Sequence, residues 1–198
     1  GITVSALVDQ IRQLFAESGD NMYAGEPVTQ TEHALQAASL ALKAGASDAM
    51  VAASLLHDVG HLLHNLGEDI AKQGVDDEHE RLGAEWLARS FPPEVSQPVM
   101  LHVMAKRYRC AIDRSYFDRL SDASRLSLEL QGGPLDEEQV RHYQADPYYQ
   151  DSLMLRNWDE AAKVPGQAVE SLDDMLQYVG RVELEHAQQD NCEDQGGG

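Results

Sequence analysis

The amino-acid sequence predicts an all-α fold, a compact bundle of helices with almost no β-strand. Apolar residues recur at spacings of three and four along most of the chain, which is the pattern of helices that bury one face. Ser or Thr residues precede several of these stretches and Gly or Pro residues follow them, as expected of helix ends. No stretch alternates apolar and polar residues in the way that a half-buried strand does.

Capping residues divide the first part of the chain into helices. Residues 3–17 form an amphipathic helix, and the Gly, Asp and Asn residues after it indicate a loop. Thr29 is followed three residues later by Glu32, a capping box that begins the second helix, which Gly45 ends. Ser47 caps the third helix, whose nearly all-apolar sequence predicts burial at the centre of the bundle.

The second part of the chain continues the helical pattern. The third helix ends at a His-Asp-Val-Gly-His turn over residues 57–61, and the polar residues 65–76 form a loop or lid. One helix then stops before Pro92, and another begins near Glu94. We expect the remaining helices at about 115–130, 136–145, 151–162 and 171–188, with a disordered acidic tail after about 189.

Length and charge restrict the class of protein. The 198 residues fit one domain, predicted over 1–198 with its core at about 20–165. Asp and Glu outnumber Lys and Arg by 34 to 15, and the net charge of −19 repels nucleic acid and anionic membranes. A small anionic substrate would therefore need a locally basic pocket. No apolar run approaches the roughly 20 residues that span a bilayer, and Cys110 and Cys192 lack motif spacing, which favours a reduced, cytoplasmic protein.

Four histidines recur at intervals of 24, 22 and 23 residues, and each falls on a predicted helix: His33, His57, His79 and His102. A bundle brings inward-facing residues of successive helices together, and bundle cores commonly house metal sites. With Asp58 they would form a nitrogen and oxygen shell suited to iron, zinc or manganese, in which the carboxylate could bridge two cations. Ordinary core or surface histidines are the alternative, since a His-Asp pair alone is weak evidence. Three further histidines lie in polar contexts and are expected to be exposed: His64, His142 and His186.

A set of motifs over roughly residues 20–165 resembles a known family. His33, then His57-Asp58, then a late Asp is similar to the signature of the HD-domain superfamily, and the extra His79 and His102 resemble its subset with two metals. Longer segments resemble the mixed-valent di-iron oxygenases that cleave organophosphonates. These segments are Tyr-Ala-Gly-Glu at 23–26, Gln-Thr-Glu-His at 30–33, Leu-His-Asp-Val-Gly-His at 56–61, His-Val-Met-Ala-Lys-Arg-Tyr at 102–108, Ser-Asp-Ala-Ser at 121–124, Leu-Gln-Gly-Gly at 130–133 and Arg-Asn-Trp-Asp at 156–159.

The resemblance implies a compact HD-type helical bundle that holds two iron ions, ferrous and ferric. The ligands of one iron would be His33, His57, Asp58 and Asp159, and those of the other would be Asp58, His79 and His102, with Asp58 bridging. Asp159 is the preferred late Asp because Arg156 precedes it by three residues on the same helix face. Three other carboxylates stay open as alternatives to it: Asp113, Asp118 and Asp122.

The resemblance also implies groups that bind a phosphonate: Lys106, Arg156, Ser124 and His61. A dianion in a dry pocket needs cations and hydrogen-bond donors around it. The alternative for Lys106 and Arg156 is a solvated surface charge. Tyr23 and Glu26 resemble a flexible pair that covers the site, with Tyr23 at an iron position before substrate arrives, and a simple capping loop is the alternative there.

The implied reaction uses dioxygen as co-substrate to cleave the carbon–phosphorus bond of a 1-hydroxy-2-aminoethylphosphonate. The (R)-1-hydroxy-2-(trimethylammonio) form, which would give glycine betaine, is preferred slightly over the primary amine, which would give glycine. A quaternary ammonium needs aromatic faces. Candidates for these are Tyr23, Tyr108, Tyr143, Tyr148, Tyr149 and Trp158.

Three other functions fit parts of this pattern. A metal-dependent HD-superfamily phosphohydrolase could use the same ligands to activate water. An oxygenase acting on a polyol would have less use for paired cations. A helical sensor or scaffold would keep the histidines only for structure. The sequence carries no signal for the oligomeric state.

Overall fold

The computed structural model of the protein describes residues 5–64 and 78–195, with side chains placed for 5–63 and 78–183. Within these ranges the chain forms helices joined by short connections, and an isolated antiparallel bridge between Met22 and Thr29 is the only β-pairing described there. The predicted all-α fold is confirmed. The helices are α1 (Ala6–Ser18), α2 (Gln30–Lys43), α3 (Asp48–Leu56), α4 (Val59–His64), α5 (His79–Ala88), α6 (Pro93–Ile112), α7 (Arg114–Arg119), α8 (Asp122–Leu130), α9 (Glu137–Gln144), α10 (Tyr149–Ala161) and α11 (Leu172–Gln195).

Helix α3 lies at the centre of the bundle, as its apolar sequence predicts. Its residues 50–56 are all buried, and it packs against α2, α6, α10 and α11. The Ser47 side chain accepts a hydrogen bond from the backbone N–H of Met50 and begins the helix. Since an all-apolar helix is stable only when it is surrounded, this packing fixes the end of α3, where His57 and Asp58 follow, inside the protein.

The second helix begins at the capping box that the sequence predicts. The backbone N–H of Glu32 donates to the Thr29 hydroxyl at 3.1 Å, and the backbone N–H of Thr29 donates to the Glu32 carboxylate at 3.2 Å. These reciprocal bonds set the direction in which α2 leaves the loop. His33, in the first turn, is thereby aimed into the core, where it is fully buried.

Two helix boundaries differ from the sequence-based prediction. The single helix expected over 115–130 is two, because Leu120 is extended, with ψ 143°, and Ser121 caps α8 by accepting from the N–H of Ser124 at 3.1 Å. Ser124 and Leu128 are the buried residues of α8. Helix α11 continues to Gln195, beyond the end predicted near 188 and into the residues for which a disordered tail is predicted. The loop or lid expected at 65–76 lies outside the described residues.

Two glycines bring α4 and α5 into close contact. A Cβ atom on Gly60 would lie 2.1 Å from the backbone oxygen of His79, and one on Gly83 would lie 3.1 Å from the backbone nitrogen of Gly60. Only the absence of a side chain permits this approach. The contact holds the start of α5 beside the turn that contains Asp58. Among the described helices, none combines the length and the apolar character needed to cross a membrane.

Candidate metal centre

Six buried side chains from five parts of the fold converge on one point. They come from the first turn of α2, the turn after α3, the start of α5, the middle of α6 and the last part of α10. Each is at most 8 % exposed. The structure thus brings together all six residues that the sequence nominated as ligands: His33, His57, Asp58, His79, His102 and Asp159.

Four of these residues form a compact group. The Nε2 atom of His33 lies 2.8 Å from Oδ1 of Asp159 and 3.2 Å from Oδ2 of Asp58. The Nε2 atom of His57 lies 3.0 Å from the same Asp58 oxygen and 3.2 Å from Asp159 Oδ1. The two imidazole Nε2 atoms are 3.1 Å apart. Two nitrogens and two oxygens therefore face one small volume.

The second oxygen of Asp58 faces another group. Its Oδ1 lies 2.9 Å from Nε2 of His79 and 3.6 Å from Nε2 of His102. The ring of His61 stacks on that of His79 at a centroid distance of 4.1 Å, and both side chains lie within ligand range of Asp58. Asp58 therefore separates two groups of donors, with one carboxylate oxygen turned to each. The sequence assigned His61 to the substrate alone, whereas the structure also places it within reach of a metal.

Backbone carbonyls fix the tautomer of three of the histidines. A carbonyl oxygen can only accept, so Nδ1 of His33 donates to Ala162 at 2.7 Å, and Nδ1 of His57 and of His102 each donate at 2.6 Å to the carbonyl three residues earlier in the chain. In the neutral imidazole the proton then sits on Nδ1 and the lone pair on Nε2. These lone pairs point at the carboxylates, so acceptors face acceptors, which is the arrangement of a metal site.

The donor set fits divalent transition ions. Such ions bind imidazole and carboxylate atoms at about 2.1 Å, so two ligands at right angles around one ion stand about 3.0 Å apart. The distances of 2.8 to 3.2 Å in the His33 group match that spacing. Neither oxygen of Asp58 accepts a hydrogen bond from any described residue, although both are buried. A buried carboxylate without such partners is costly unless a cation lies beside it.

Protonation of the cluster shows the same need for positive charge. Burial raises the pKa of Asp58, but the neighbouring His57 charge and the histidine contacts lower it well below its ordinary value. Burial likewise lowers the pKa of His57, but the charges of Asp58 and Asp159 raise it well above its ordinary value. The raised pKa of His57 favours a proton on Nε2 in the absence of metal, and metal binding at Nε2 would release that proton.

Lys106 and Arg156 are buried beside this cluster, 2 % and 5 % exposed, so the alternative of solvated surface charges is wrong for both. The Lys106 Nζ donates to the carbonyl oxygen of Ser124 at 3.2 Å and to the hydroxyl of Ser127 at 3.1 Å. Burial and the nearby charge of Arg156 lower the pKa of Lys106 to about 7. Ser124 itself is buried at the start of α8, next to the lysine.

Arg156 is held by two carboxylates of its own helix. Its Nη1 lies 2.7 Å from Oδ2 of Asp159, and its Nε donates to Glu160 at 3.0 Å. The Tyr116 hydroxyl donates to the same Glu160 oxygen. Arg156 therefore links the candidate metal ligand Asp159 to Glu160 and, through Glu160, to Tyr116. The sequence analysis did not identify Glu160. Its position one helical turn after Arg156 is a weak signal for the contact between these two side chains.

The loop before α2 covers the cluster. Tyr23 stacks on the His33 ring at a centroid distance of 4.1 Å, and burial raises the pKa of its hydroxyl well above the ordinary value. Glu26 accepts hydrogen bonds from Ser121 at 2.6 Å and from Lys163 at 3.1 Å. The loop is thus attached to α8 and to the chain after α10. No sequence motif indicated Lys163.

Several other candidate residues lie elsewhere. Asp113 caps α7, while Asp118 and Asp122 are exposed, so none of these carboxylates reaches the histidines. His142 is exposed, as predicted, whereas the side chains of His64 and His186 lie outside the described part.

The expected set of aromatic residues for an ammonium group is mostly not at the centre. Tyr108 and Tyr149 share a hydrogen bond of 2.9 Å, and Tyr143 packs against both. Trp158 packs against the main hydrophobic core instead. Of the six candidates, Tyr23 is the one for which the structure shows contact with a candidate ligand.

A protein-family model for the HD domain matches residues 31–146, a stretch that contains five of the six converging residues. The chain belongs to the HD-domain family. This HD-domain chain is 40% identical over 183 residues to a hydroxymethylphosphonate dioxygenase of Gimesia maris, covering 91% of this chain and 89% of that one. It is 42% identical over 157 residues to the glycine-betaine-forming [1-hydroxy-2-(trimethylamino)ethyl]phosphonate dioxygenase of Leisingera caerulea, covering 79% and 80%.

A third relative is an uncharacterised protein of a mimivirus of Acanthamoeba polyphaga, 32% identical over 169 residues, covering 84% of this chain and 77% of that one. Both relatives with named activities are dioxygenases, a class of oxidoreductase, and both names specify a hydroxyphosphonate. The resemblance read from the motifs is confirmed. A buried cluster of His and Asp in an HD-domain protein is a metal-binding site.

Proposed function

We propose that this protein is a mixed-valent di-iron dioxygenase that cleaves the carbon–phosphorus bond of a small 1-hydroxyphosphonate. The observation that carries the proposal is the position of Asp58, whose two oxygens face separate groups of imidazoles while buried cations lie at the edge of the cluster. A site for two metals beside a site for a dianion is what such a reaction requires.

The proposed metals are two iron ions. His33, His57, Asp58 and Asp159 would hold one, while Asp58, His79 and His102 would hold the other, with His61 at its edge. This shell contains nitrogen and oxygen donors and no thiolate, which suits iron among the redox-active metals. When bound, the iron pair supplies the electron transfer that lets dioxygen react with the substrate.

The overall reaction balances with one dioxygen. The carbon–phosphorus bond breaks, the carbon is oxidised to a carboxylate, and dioxygen is reduced by four electrons. One oxygen atom of dioxygen is gained by each product, so the products are phosphate, a carboxylate and one proton. Hydrolysis by a metal-bound water would leave the carbon unoxidised, and this difference separates the proposal from the phosphohydrolase alternative.

The residues around the metals would bind and orient the substrate. Lys106 and Arg156 supply the positive charge that a phosphonate dianion needs in a buried site, and Ser124 supplies a hydroxyl. Because Arg156 also contacts Asp159, the phosphonate and one metal ligand would be fixed relative to each other. Tyr23 excludes water from the His33 side and must move for a substrate to reach that position.

For the substituent on carbon 2 we propose the trimethylammonio group, so that the second product would be glycine betaine. Tyr23 offers an aromatic face at the centre, and one relative at 42% identity acts on that compound by its name. The primary amine and the hydroxymethyl compound, the latter named for the other relative, are the competing substrates. We also propose a cytoplasmic enzyme with no nucleic-acid partner, from its acidic composition and the free, buried Cys110.

The test is phosphate release by iron-loaded protein with each of the three phosphonates, with and without dioxygen. We expect release that requires dioxygen, one dioxygen consumed per phosphate, and the highest kcat/KM for the trimethylammonio compound. Phosphate release in the absence of dioxygen by zinc-loaded protein would contradict the oxygenase and favour the hydrolase. A higher kcat/KM for another substrate would contradict only the choice of substituent.

A further inference from the structure

A cavity of about 300 Å³ opens between α6, α7, α8 and the end of α10, outside the metal cluster. Three cations line it, Arg109, Arg119 and Lys163, together with one carboxylate, Glu160. The remaining lining residues are Tyr116, Leu120, Ser121, Ser124 and Asn157, most of which carry a hydroxyl or an amide. In a chain with 34 acidic and 15 basic residues, a cavity with three cations is the reverse of the average surface.

Two of these cations form no ion pair within 4.0 Å with a carboxylate of the described residues. Arg109 donates to the side chain of Asn157 and stacks over the Tyr116 ring at 4.3 Å, and Arg119 donates to the Ser115 hydroxyl at 3.0 Å. Their charge is therefore available to a ligand.

The donors of the cavity already hold an anion of the chain itself. The Glu26 carboxylate accepts from Ser121 and from Lys163, two residues of the cavity wall. This pairing shows that the wall can bind an oxyanion through a hydroxyl and an ammonium together. Glu26, Glu160 and Asp113 are negative groups near these cations, and none of the three lies within ion-pair distance of Arg109 or Arg119 among the described contacts.

The cavity wall is also the outer side of the proposed phosphonate site. The carbonyl of Ser124 accepts from the buried Lys106, and Glu160 accepts from the buried Arg156. A dianion in the cavity would thus be separated from the inner cations by a single layer of residues. Cations in a concave site raise the local concentration of anions even when the overall charge repels them.

We propose that this cavity is a second anion-binding site, which captures a phosphonate or phosphate dianion at the access to the metal centre. Arg109 and Arg119 are its binding residues. The idea that the dianion is a substrate on its way to the irons rests on the proposed function, whereas anion binding in the cavity does not. Capture here lets a dianion approach a protein of charge −19.

The test titrates inorganic phosphate, as the probe, into iron-loaded protein. Titration calorimetry measures the number of phosphates bound and their affinities. Wild type is expected to bind two phosphates, one of which is lost in Arg109→Gln/Arg119→Gln and the other in Lys106→Ala. Arg114→Gln is the matched control, because Arg114 is an exposed arginine on α7 that does not line the cavity. Arg119→Gln alone alters an exposed side chain, and it should weaken the cavity site about tenfold without a change in folding.

Turnover gives a second readout that separates capture from catalysis. In the double variant kcat/KM should fall on the order of tenfold, kcat should stay unchanged, and the dependence of kcat/KM on salt should flatten. Phosphate binding by the double variant with the stoichiometry and affinity of Arg114→Gln would overturn the proposal. If wild type turns over no hydroxyphosphonate, the proposed function fails, and the phosphate titration still decides whether the cavity binds an anion.

Discussion

At the scale of single residues, the chemistry of this protein depends on buried charged side chains. Among the described residues, these side chains lack the hydrogen bonds or ion pairs that buried charges usually have. Asp58 presents two carboxylate oxygens to imidazole lone pairs, and Lys106 is a cation at 2 % exposure whose hydrogen bonds go to a carbonyl and a hydroxyl. Both arrangements are costly alone, and both become favourable when a metal ion or a dianion is bound. The pattern of His and Asp in the sequence predicted Asp58, and the family resemblance implied Lys106.

Replacement of the two buried cations, Lys106 and Arg156, should have different effects on iron content. Lys106→Ala should weaken binding of the phosphonate by about 10- to 150-fold, the effect of losing 1.5–3 kcal/mol, with iron content unchanged. Arg156→Ala should do the same and also reduce iron content, because Arg156 contacts Asp159 at 2.7 Å. Iron analysis and KM for both variants check this. Normal turnover by both would show that the phosphonate binds elsewhere.

The depressed pKa of Lys106 predicts a pH dependence. Since that pKa is about 7, the lysine of the free enzyme is charged below this pH and becomes neutral above it. A bound dianion favours the charged form, so kcat/KM should fall as pH rises above about 7 while kcat stays level. Lys106→Arg keeps its charge at all these pH values and should remove the fall. The same fall in both proteins would assign the titration to another group.

At the scale of the elements, packing decides where each ligand stands. The buried α3 fixes His57 and Asp58, the capping box of α2 aims His33, and the Gly60–Gly83 contact holds His79 beside Asp58. The sequence showed the first two features because they depend on local signals. The boundary between α7 and α8 was missed because no Gly or Pro marks it, although Ser121, which caps α8, is a local signal for it.

Tertiary packing also separates most of the candidate aromatic residues from the metal cluster. Tyr108, Tyr143 and Tyr149 find hydrogen-bond partners in a cluster of their own, between α6, α9 and α10. Nothing in the sequence distinguishes a tyrosine that pairs with another tyrosine from one that faces a ligand. The same applies to Glu160 and Lys163, whose contacts depend on how the end of α10 meets α8 and the Tyr23 loop.

Substitution at the glycine contact should disturb one metal position selectively. In Gly60→Ala the new methyl group would lie 2.1 Å from the His79 carbonyl oxygen, so α5 must shift. We expect a loss of about 1–3 kcal/mol in the free energy of unfolding and metal content that falls toward one ion per chain. Gly180→Ala is the control, since its nearest contact is 3.8 Å. Full metal content in Gly60→Ala would contradict the role of this contact.

At the scale of the whole molecule, one metal cluster joins α2, α3, α5, α6 and α10. Its six candidate ligands span residues 33 to 159, so a bound metal would link distant parts of the chain in the folded state. The sequence predicted this arrangement through the near-regular spacing of the histidines and the resemblance to the HD-domain oxygenases. The sequence indicated the charge reversal at the outer cavity only as the need for a locally basic pocket, because its three cations come from two helices, α6 and α7, and from the segment after α10.

Metal removal should therefore lower the stability of the entire fold. A ligand held at 100 times its Kd adds about 2.7 kcal/mol to the free energy of unfolding. For a chain of this size, that corresponds to a decrease in Tm of roughly 5–11 °C when a chelator removes the metal. Calorimetry with and without chelator measures the change, and His142→Ala, at an exposed histidine, should behave as wild type does. An unchanged Tm would mean that the cluster does not hold metal in the folded protein.

The central claim is that Asp58 bridges two iron ions, and iron stoichiometry in three matched variants tests it most directly. His102→Ala should retain about one iron per chain, because it removes a ligand of one ion only. Asp58→Ala should retain less than His102→Ala, since two cations would then face each other without the shared carboxylate in a low-dielectric site. Asp122→Ala, at an exposed carboxylate of α8, should retain both irons. An Asp58→Ala protein that still holds two irons per chain would contradict the account.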